Sequence, residues 1–342
     1  VKGWGRWLAL LVGVLVFSLY LRQTDWVAVG GALKGLGYLG VLLLVPYFVV
    51  YVVDAWAWRM SFGSPTGVGF WRMFRIRWCG EAVNNLVPTA YVGGEAVKVL
   101  LLQREGVQAS EATAAALISK TAQTIGQVLF LIAGAGAYLV IRGDGQEQGL
   151  AWGLLVVVVG GCGVVGLLLW LQRRGVASTL LGFMERFGIR SRRVAARRAG
   201  LESMDRIVAG FYRARRLRFA VCTAGFFAGW MLDTVEVYLA GQLLGMPLSW
   251  GQALVLESFT GVVKVVGLWV PGALGVQESG IVLIGRWVGA PALFGPTYAV
   301  LRRVRELVYA AVGWALLAFW GGAGQETGAD LSGRGWNKSQ GR

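Results

Sequence analysis

The sequence predicts an all-α polytopic membrane protein, with about six full transmembrane helices plus two re-entrant hairpins arranged as an inverted repeat. Three observations lead there. Hydrophobic residues are 56% of the 342 and charged residues 15%, against roughly 45–50% and about 25% in soluble domains; the mean hydropathy is +0.59. The apolar residues form long continuous runs, not the alternating segments of about ten residues that a membrane barrel shows. Two stretches, 78–104 and 251–290, break the pattern with prolines, glycines and charges, and they resemble each other.

Taken in order, Lys2 and Arg6 precede an apolar run from Leu8 to Leu21. Arg22-Gln23-Thr24-Asp25 follows it where a cleavage site would need small residues, so the run reads as a retained span with its amino end in the cytoplasm. A second span is expected from about Gly37 to Met60, and Arg59, Arg72, Arg75 and Arg77 mark a cytoplasmic return. Long helices are expected at 109–141 and 150–171. Between Gln172 and Arg218 stand 13 arginines and three acids (Glu185, Glu202, Asp205), which is +10 of the chain's net +15. Basic residues beside spans mark the cytoplasmic face and attract anionic lipid, so this charge points to the membrane and not to nucleic acid. Further spans are expected at 219–244 and 292–320. Residues 1–325 then form one transmembrane domain, with repeats at about 37–141 and 219–320, the basic cytoplasmic segment at 172–218, and a flexible cytoplasmic tail at 326–342.

The repeat is legible at the two breaks. Pro88-Thr-Ala-Tyr-Val-Gly-Gly-Glu95 aligns with Pro271-Gly-Ala-Leu-Gly-Val-Gln-Glu278. Lys120 and Arg303 each lie 25 residues after their glutamate, and Asp54 and Asp233 lie 34 and 38 residues before their proline. Irregular backbone at membrane depth is tolerated only inside protein or beside a water-filled cavity, which makes both stretches re-entrant hairpins. Counting spans from a cytoplasmic amino end inverts the second unit, so the hairpins enter from opposite sides. Transporters of this architecture bind their substrate near the midplane, at the repeat interface.

The chain has no histidine, and its three cysteines (Cys79, Cys162, Cys222) are far apart. Histidine-dependent catalysis and histidine metal sites are excluded, and neither metal nor cofactor is expected. Glu95 and Glu278 follow the Pro/Gly turns. Lys120, Arg302, Arg303, Arg305 and Glu306 lie 10–14 residues into long helices, about 15–20 Å at 1.5 Å per residue and close to the middle of a roughly 30 Å core. A buried cation there must meet a carboxylate, a carbonyl or a bound anion. The functional reading makes Lys120 and Arg303 the ligands of an anionic headgroup, with Lys98, Arg302, Arg305 and Glu306 around them. Glu95 and Glu278 hold those cations when the site is empty, or carry protons. The bland reading is structural salt bridges. Backbone N–H groups around Asn85, Pro88, Gly93, Gly94, Pro271, Gly272 and Gly275 offer a phosphate further donors. Asp54 and Asp233 are secondary candidates, Asp54 being within reach of Arg59. Gly35 to Gly40 match G-x-G-x-x-G, but no strand precedes them, so a dinucleotide site is rejected. Gly225/Gly229, Gly241/Gly245 and Gly285/Gly289 are spaced for helix packing or dimerisation.

Asn84-Asn85-Leu-Val-Pro88 through Gly93-Gly94-Glu95 and Lys98, together with Val270-Pro271 through Glu278 and the Arg303 helix, resemble the two motifs of the lysylphosphatidylglycerol synthase transmembrane, or flippase-like, family. This family includes UPF0104 proteins and the membrane half of multiple peptide resistance factor, and the resemblance covers about residues 10–320. It implies translocation of an anionic or aminoacylated phospholipid or a related lipid across the inner (plasma) membrane, with both chain ends cytoplasmic. The sequence departs from the family pattern in carrying Lys98 where arginine follows the acid, and Lys120 where arginine often stands. No soluble transferase domain is expected after Trp320, so a transferase activity is not expected of this chain. Two other readings stand beside translocation: a membrane-embedded lipid-modifying enzyme, and a scaffold of a lipid or glycolipid pathway. A homodimer or a separate lipid-modifying enzyme is the expected protein partner.

Overall fold

A computed structural model of the chain describes residues 13, 15, 18, 20–22, 24–87, 92–142, 148–176, 178, 179, 198–267 and 270–332. Among these residues all regular structure is helical. The first expected span, 8–21, lies mostly outside them, as do Pro88 and residues 333–342.

Helix α1 (Trp26–Leu36) starts where the Asp25 carboxylate accepts the N–H groups of Val27 and Ala28 at 3.1 and 3.0 Å, the usual role of an N-cap aspartate. Gly37, at φ 53°, ends it. A 3₁₀ stretch (Gly37–Leu43) then leads into α2 (Leu44–Arg59). The span expected from Gly37 thus begins at Trp26: the Gly35–Gly40 run is wound into a 34-residue apolar rod and does not form a loop. Helices α3 (Phe70–Leu86) and α4 (Val92–Arg104) form a pair on either side of Pro88. Helices α5 (Ala109–Arg142) and α6 (Gln148–Arg174) follow. Helix α7 (Arg198–Ala214) packs its apolar stripe (Met204, Val208, Phe211) on α5. Helix α8 (Arg216–Leu243) comes next, then a second pair, α9 (Trp250–Val266) and α10 (Val276–Trp287), and finally α11 (Phe294–Ser332). Ser249 and Gln252 close a reciprocal capping box at the start of α9.

Among the described residues, four rods are long and apolar enough to cross a bilayer: 26–59, 109–141, 155–174 and 216–243. In the third only 6% of the apolar stretch is buried by protein. Leu155, Val156, Val159, Val164 and Leu167 all face outward, which is the surface of a helix solvated by lipid. Helix α11 is not one of the four; Arg302, Arg303, Arg305 and Glu306 interrupt its apolar run.

Apolar burial gives little net drive between helices in lipid, so close contact through small residues takes its place. Gly225 of α8 meets Ala57 of α2, and Gly229 meets Asp54, so the two helices run antiparallel. Gly126 of α5 lies against the α8 backbone at Phe226–Phe227, Gly134 of α5 against Ser258 of α9, and Gly313 of α11 against Trp78 and Ala82 of α3. Helices α2 to α5 and α8 to α11 therefore interlock: α9 packs on α5 as α3 packs on α11, around the central α2–α8 contact.

Two expectations are corrected here. Of the arginines expected to mark a cytoplasmic return, Arg72, Arg75 and Arg77 lie on helix α3, and Arg77 is buried in the helix assembly and not at a membrane surface. The last helix runs to Ser332, past the end expected at Trp320.

Candidate functional site

The charges of the two units meet in the centre of the helix assembly as two ion-pair groups. In the first, Arg77 of α3 binds Asp54 of α2 and stands 3.3 Å from Glu81. Lys98 of α4 bonds Glu95 at 2.6 Å and lies 3.9 Å from Glu81. Lys120 of α5 is 3.8 Å from Glu95 and donates to Gln123 at 3.0 Å. In the second group, Arg302 of α11 grips Glu257 of α9 through two bonds of 2.5 and 2.8 Å. Arg303 binds Glu278 of α10, and Arg305 binds Glu236 of α8. Glu306 gathers Arg303 at 2.7 Å, Lys264 at 3.3 Å and Gln277 at 3.1 Å. The Arg305 guanidinium also lies 3.7 Å above the Tyr47 ring, a cation–π contact strengthened by burial.

The helix pairs hold these charges through their turns. Gly94 packs directly against Gly80 of α3, and its N–H donates to the Asn84 side chain at 2.9 Å. A side chain on either glycine would drive α3 and α4 apart. In the second pair Gly272 and Gly275 take left-handed φ values of 60° and 79° after Pro271. The Glu278 carboxylate then accepts the Gly275 N–H at 2.8 Å while also receiving Arg303. One carboxylate thus caps the helix and anchors a cation.

Between the two groups lies a partly open cavity of about 260 Å³. Three helices of each unit line it: α2, α3 and α5, with α8, α9 and α11. Its charged wall consists of Arg77, Lys120, Lys264, Arg302 and Arg305 against Asp54, Glu81 and Asp233. Asn85 lines it as well. The other expected site residues, Glu95, Lys98, Glu278, Arg303 and Glu306, and the turn residues Gly93, Gly94, Gly272 and Gly275, are not on the lining. Asp54 pairs with Arg77 across two helices and not with Arg59, because α3 brings the guanidinium into the same buried layer.

Sequence reasoning passed over Arg77, Glu81, Lys264, Glu236 and Glu257 as site residues. The repeat carries a signal for two of them. Glu81 and Lys264 each stand seven residues before their proline, and Gln123 and Glu306 each stand three after the paired cation. Glu236 and Glu257 have no such register; their signal is an acid inside an apolar helix.

A sequence profile of the lysylphosphatidylglycerol synthase transmembrane region matches residues 6–313. The chain belongs to this family. It is also 20% identical over 302 residues to a UPF0104 membrane protein of Methanothermobacter thermautotrophicus, a match that covers 84% of this chain and 86% of that protein. As a member of the lysylphosphatidylglycerol synthase transmembrane family, with four helices among the described residues apolar enough to span a bilayer, it is an α-helical, multi-pass membrane protein. The matched region contains both ion-pair groups and the whole cavity lining.

Proposed function

We propose that the protein is a lipid translocase of the flippase type, which receives an anionic lipid headgroup in the cavity between its two helix units. The observation that carries this reading is the cavity wall. Five cations face three carboxylates there, and the buried Arg305 guanidinium leaves Nε and Nη2 without a hydrogen-bond partner. Buried polar groups are rarely left so unless something else binds them. The cavity is smaller than the roughly 300–1,000 Å³ of a drug-sized pocket, so it suits a headgroup with its acyl chains left in lipid. Membership of a family of transmembrane regions named for a lipid synthase supports a lipid-connected role.

In this reading Lys120, Arg302 and Arg305 hold the phosphate, with Lys264 and Arg77 adjoining. Glu95, Lys98, Glu278, Arg303 and Glu306 sit behind the wall and position it. The α3–α4 and α9–α10 pairs are re-entrant hairpins, and six full spans carry them. The two units are inverted copies that gate the cavity from opposite faces of the plasma membrane, with both chain ends cytoplasmic. The antiparallel α2–α8 contact and the reciprocal packing of α9 on α5 and α3 on α11 support this arrangement.

The test is reconstitution into vesicles with headgroup-labelled phosphatidylglycerol, reading label protected from an impermeant quencher. Wild type is expected to exchange the lipid between leaflets, and Lys120→Gln to slow exchange at least about tenfold, the effect of losing about 1.4 kcal/mol of binding. Lys34→Gln, on the exposed face of α1, is expected to leave the rate unchanged. Exchange no faster than in protein-free vesicles would overturn the reading.

A further inference from the structure

We propose that Asp233 is a proton site coupled to anion binding: its carboxyl is neutral in the empty cavity, and only in that form does the cavity accept an anion. The coupling rests on the headgroup-site reading above; the proton site itself rests on a charge count. The first ion-pair group matches Arg77, Lys98 and Lys120 with Asp54, Glu81 and Glu95. The second matches Lys264, Arg302, Arg303 and Arg305 with Glu236, Glu257, Glu278 and Glu306. Each group is balanced without Asp233. This residue lines the cavity and is buried, and its Oδ1 has no hydrogen-bond partner. A buried carboxylate with no counter-charge is strongly disfavoured, and protonation removes the charge.

The surroundings agree. Glu236 lies one turn along the same helix, and Glu257 of α9 is likewise buried; each of the two holds an arginine of the cavity wall. Arg302 and Arg305 of α11 line the cavity with Asp233, but each is already held by one of those glutamates. Lys264 of α9 is occupied by Glu306, and Asp54 of α2, across the cavity, by Arg77. Tyr47 of α2 lines the same cavity, beneath the Arg305 guanidinium. Lys120 of α5 lines the same cavity beside Gln123. An ionised Asp233 would compete with an anionic ligand for Arg302 and Arg305; a neutral one leaves them to it. By linkage, anion binding takes up no proton while Asp233 is neutral in the empty protein; above the pH at which the empty protein ionises, binding takes up one proton and affinity falls about tenfold per pH unit.

Two measurements on the purified full chain decide it. Infrared spectra of ligand-free protein at neutral pH are expected to show the carbonyl stretch of a protonated carboxylic acid, shifted in heavy water and absent in Asp233→Asn. Lack of that band in wild type, or its persistence in Asp233→Asn, would overturn the proton site. Calorimetry with dihexanoyl phosphatidylglycerol, in buffers of different ionisation enthalpy, is expected to show no proton uptake by wild type where the infrared band is present, and uptake of one proton with declining affinity at the higher pH where the band is lost. Asp233→Asn is expected to bind without proton uptake and without pH dependence; Asp233→Glu is expected to restore both, which keeps the test valid if the asparagine variant folds poorly. Binding by wild type without proton uptake at the pH where the infrared band is lost would overturn the coupling alone. No binding at any pH would overturn the coupling and the headgroup reading together, with the infrared band still deciding the proton site.

Discussion

Arg77 and Asp54 show how much a single buried pair constrains this molecule. The two side chains come from neighbouring helices, and both are almost fully buried. Such a pair adds little net stability against an apolar alternative, but removing Asp54 leaves the buried Arg77 guanidinium with Glu81 alone, 3.3 Å away, and breaking a buried pair costs up to about 3–5 kcal/mol. Asp54→Ala is therefore expected to lower the thermal stability of the purified protein steeply. The double variant Asp54→Leu/Arg77→Met is expected to recover most of that loss. A double variant no more stable than Asp54→Ala, in fluorescence-monitored melting, would remove the pair from the account. Arg77 was legible in the sequence only as another arginine in a basic run. Its burial is set by the register of α3, which starts at Phe70, and nothing in the arginine spacing reveals that start. Lys120 and Arg303, in contrast, were legible from their equal distance to Glu95 and Glu278, because a repeat preserves register where composition does not.

At the scale of elements, the broken pairs α3–α4 and α9–α10 decide where the charges sit. Their existence was readable from the paired Pro/Gly interruptions; their lengths were not. Helix α1 begins eleven residues before the expected span because the Asp25 cap starts a helix there and the 3₁₀ stretch carries the chain through the glycine-rich run into α2. If the two pairs enter from opposite faces, the loops preceding them lie on opposite sides of the membrane. In a Cys162→Ser background, which removes the exposed thiol, Ser64→Cys is expected to react with an impermeant maleimide only after the cells are opened. Pro247→Cys is expected to react in intact cells. Labelling of both from one side would contradict the inverted repeat.

At the scale of the whole molecule, the two units build one site that neither contains alone: three helices from each enclose the cavity. The all-helical membrane class followed from composition, and the family from two short motifs. The cavity did not follow, because Glu236 and Glu257 hold no repeat position and the division between cavity wall and supporting shell depends on side-chain direction. Arg303, expected to touch the headgroup, points to Glu278 and Glu306, whereas its neighbours Arg302 and Arg305 reach the wall. That division generates the central claim, which is that an anionic headgroup binds at the wall and that Lys120 is part of it. Native mass spectrometry of gently extracted protein tests this most directly. Wild type is predicted to retain one class of anionic lipid, and folded Lys120→Gln to lose most of it while keeping its unselective annular lipid. Equal retention in both proteins, with no class preferred, would contradict the account.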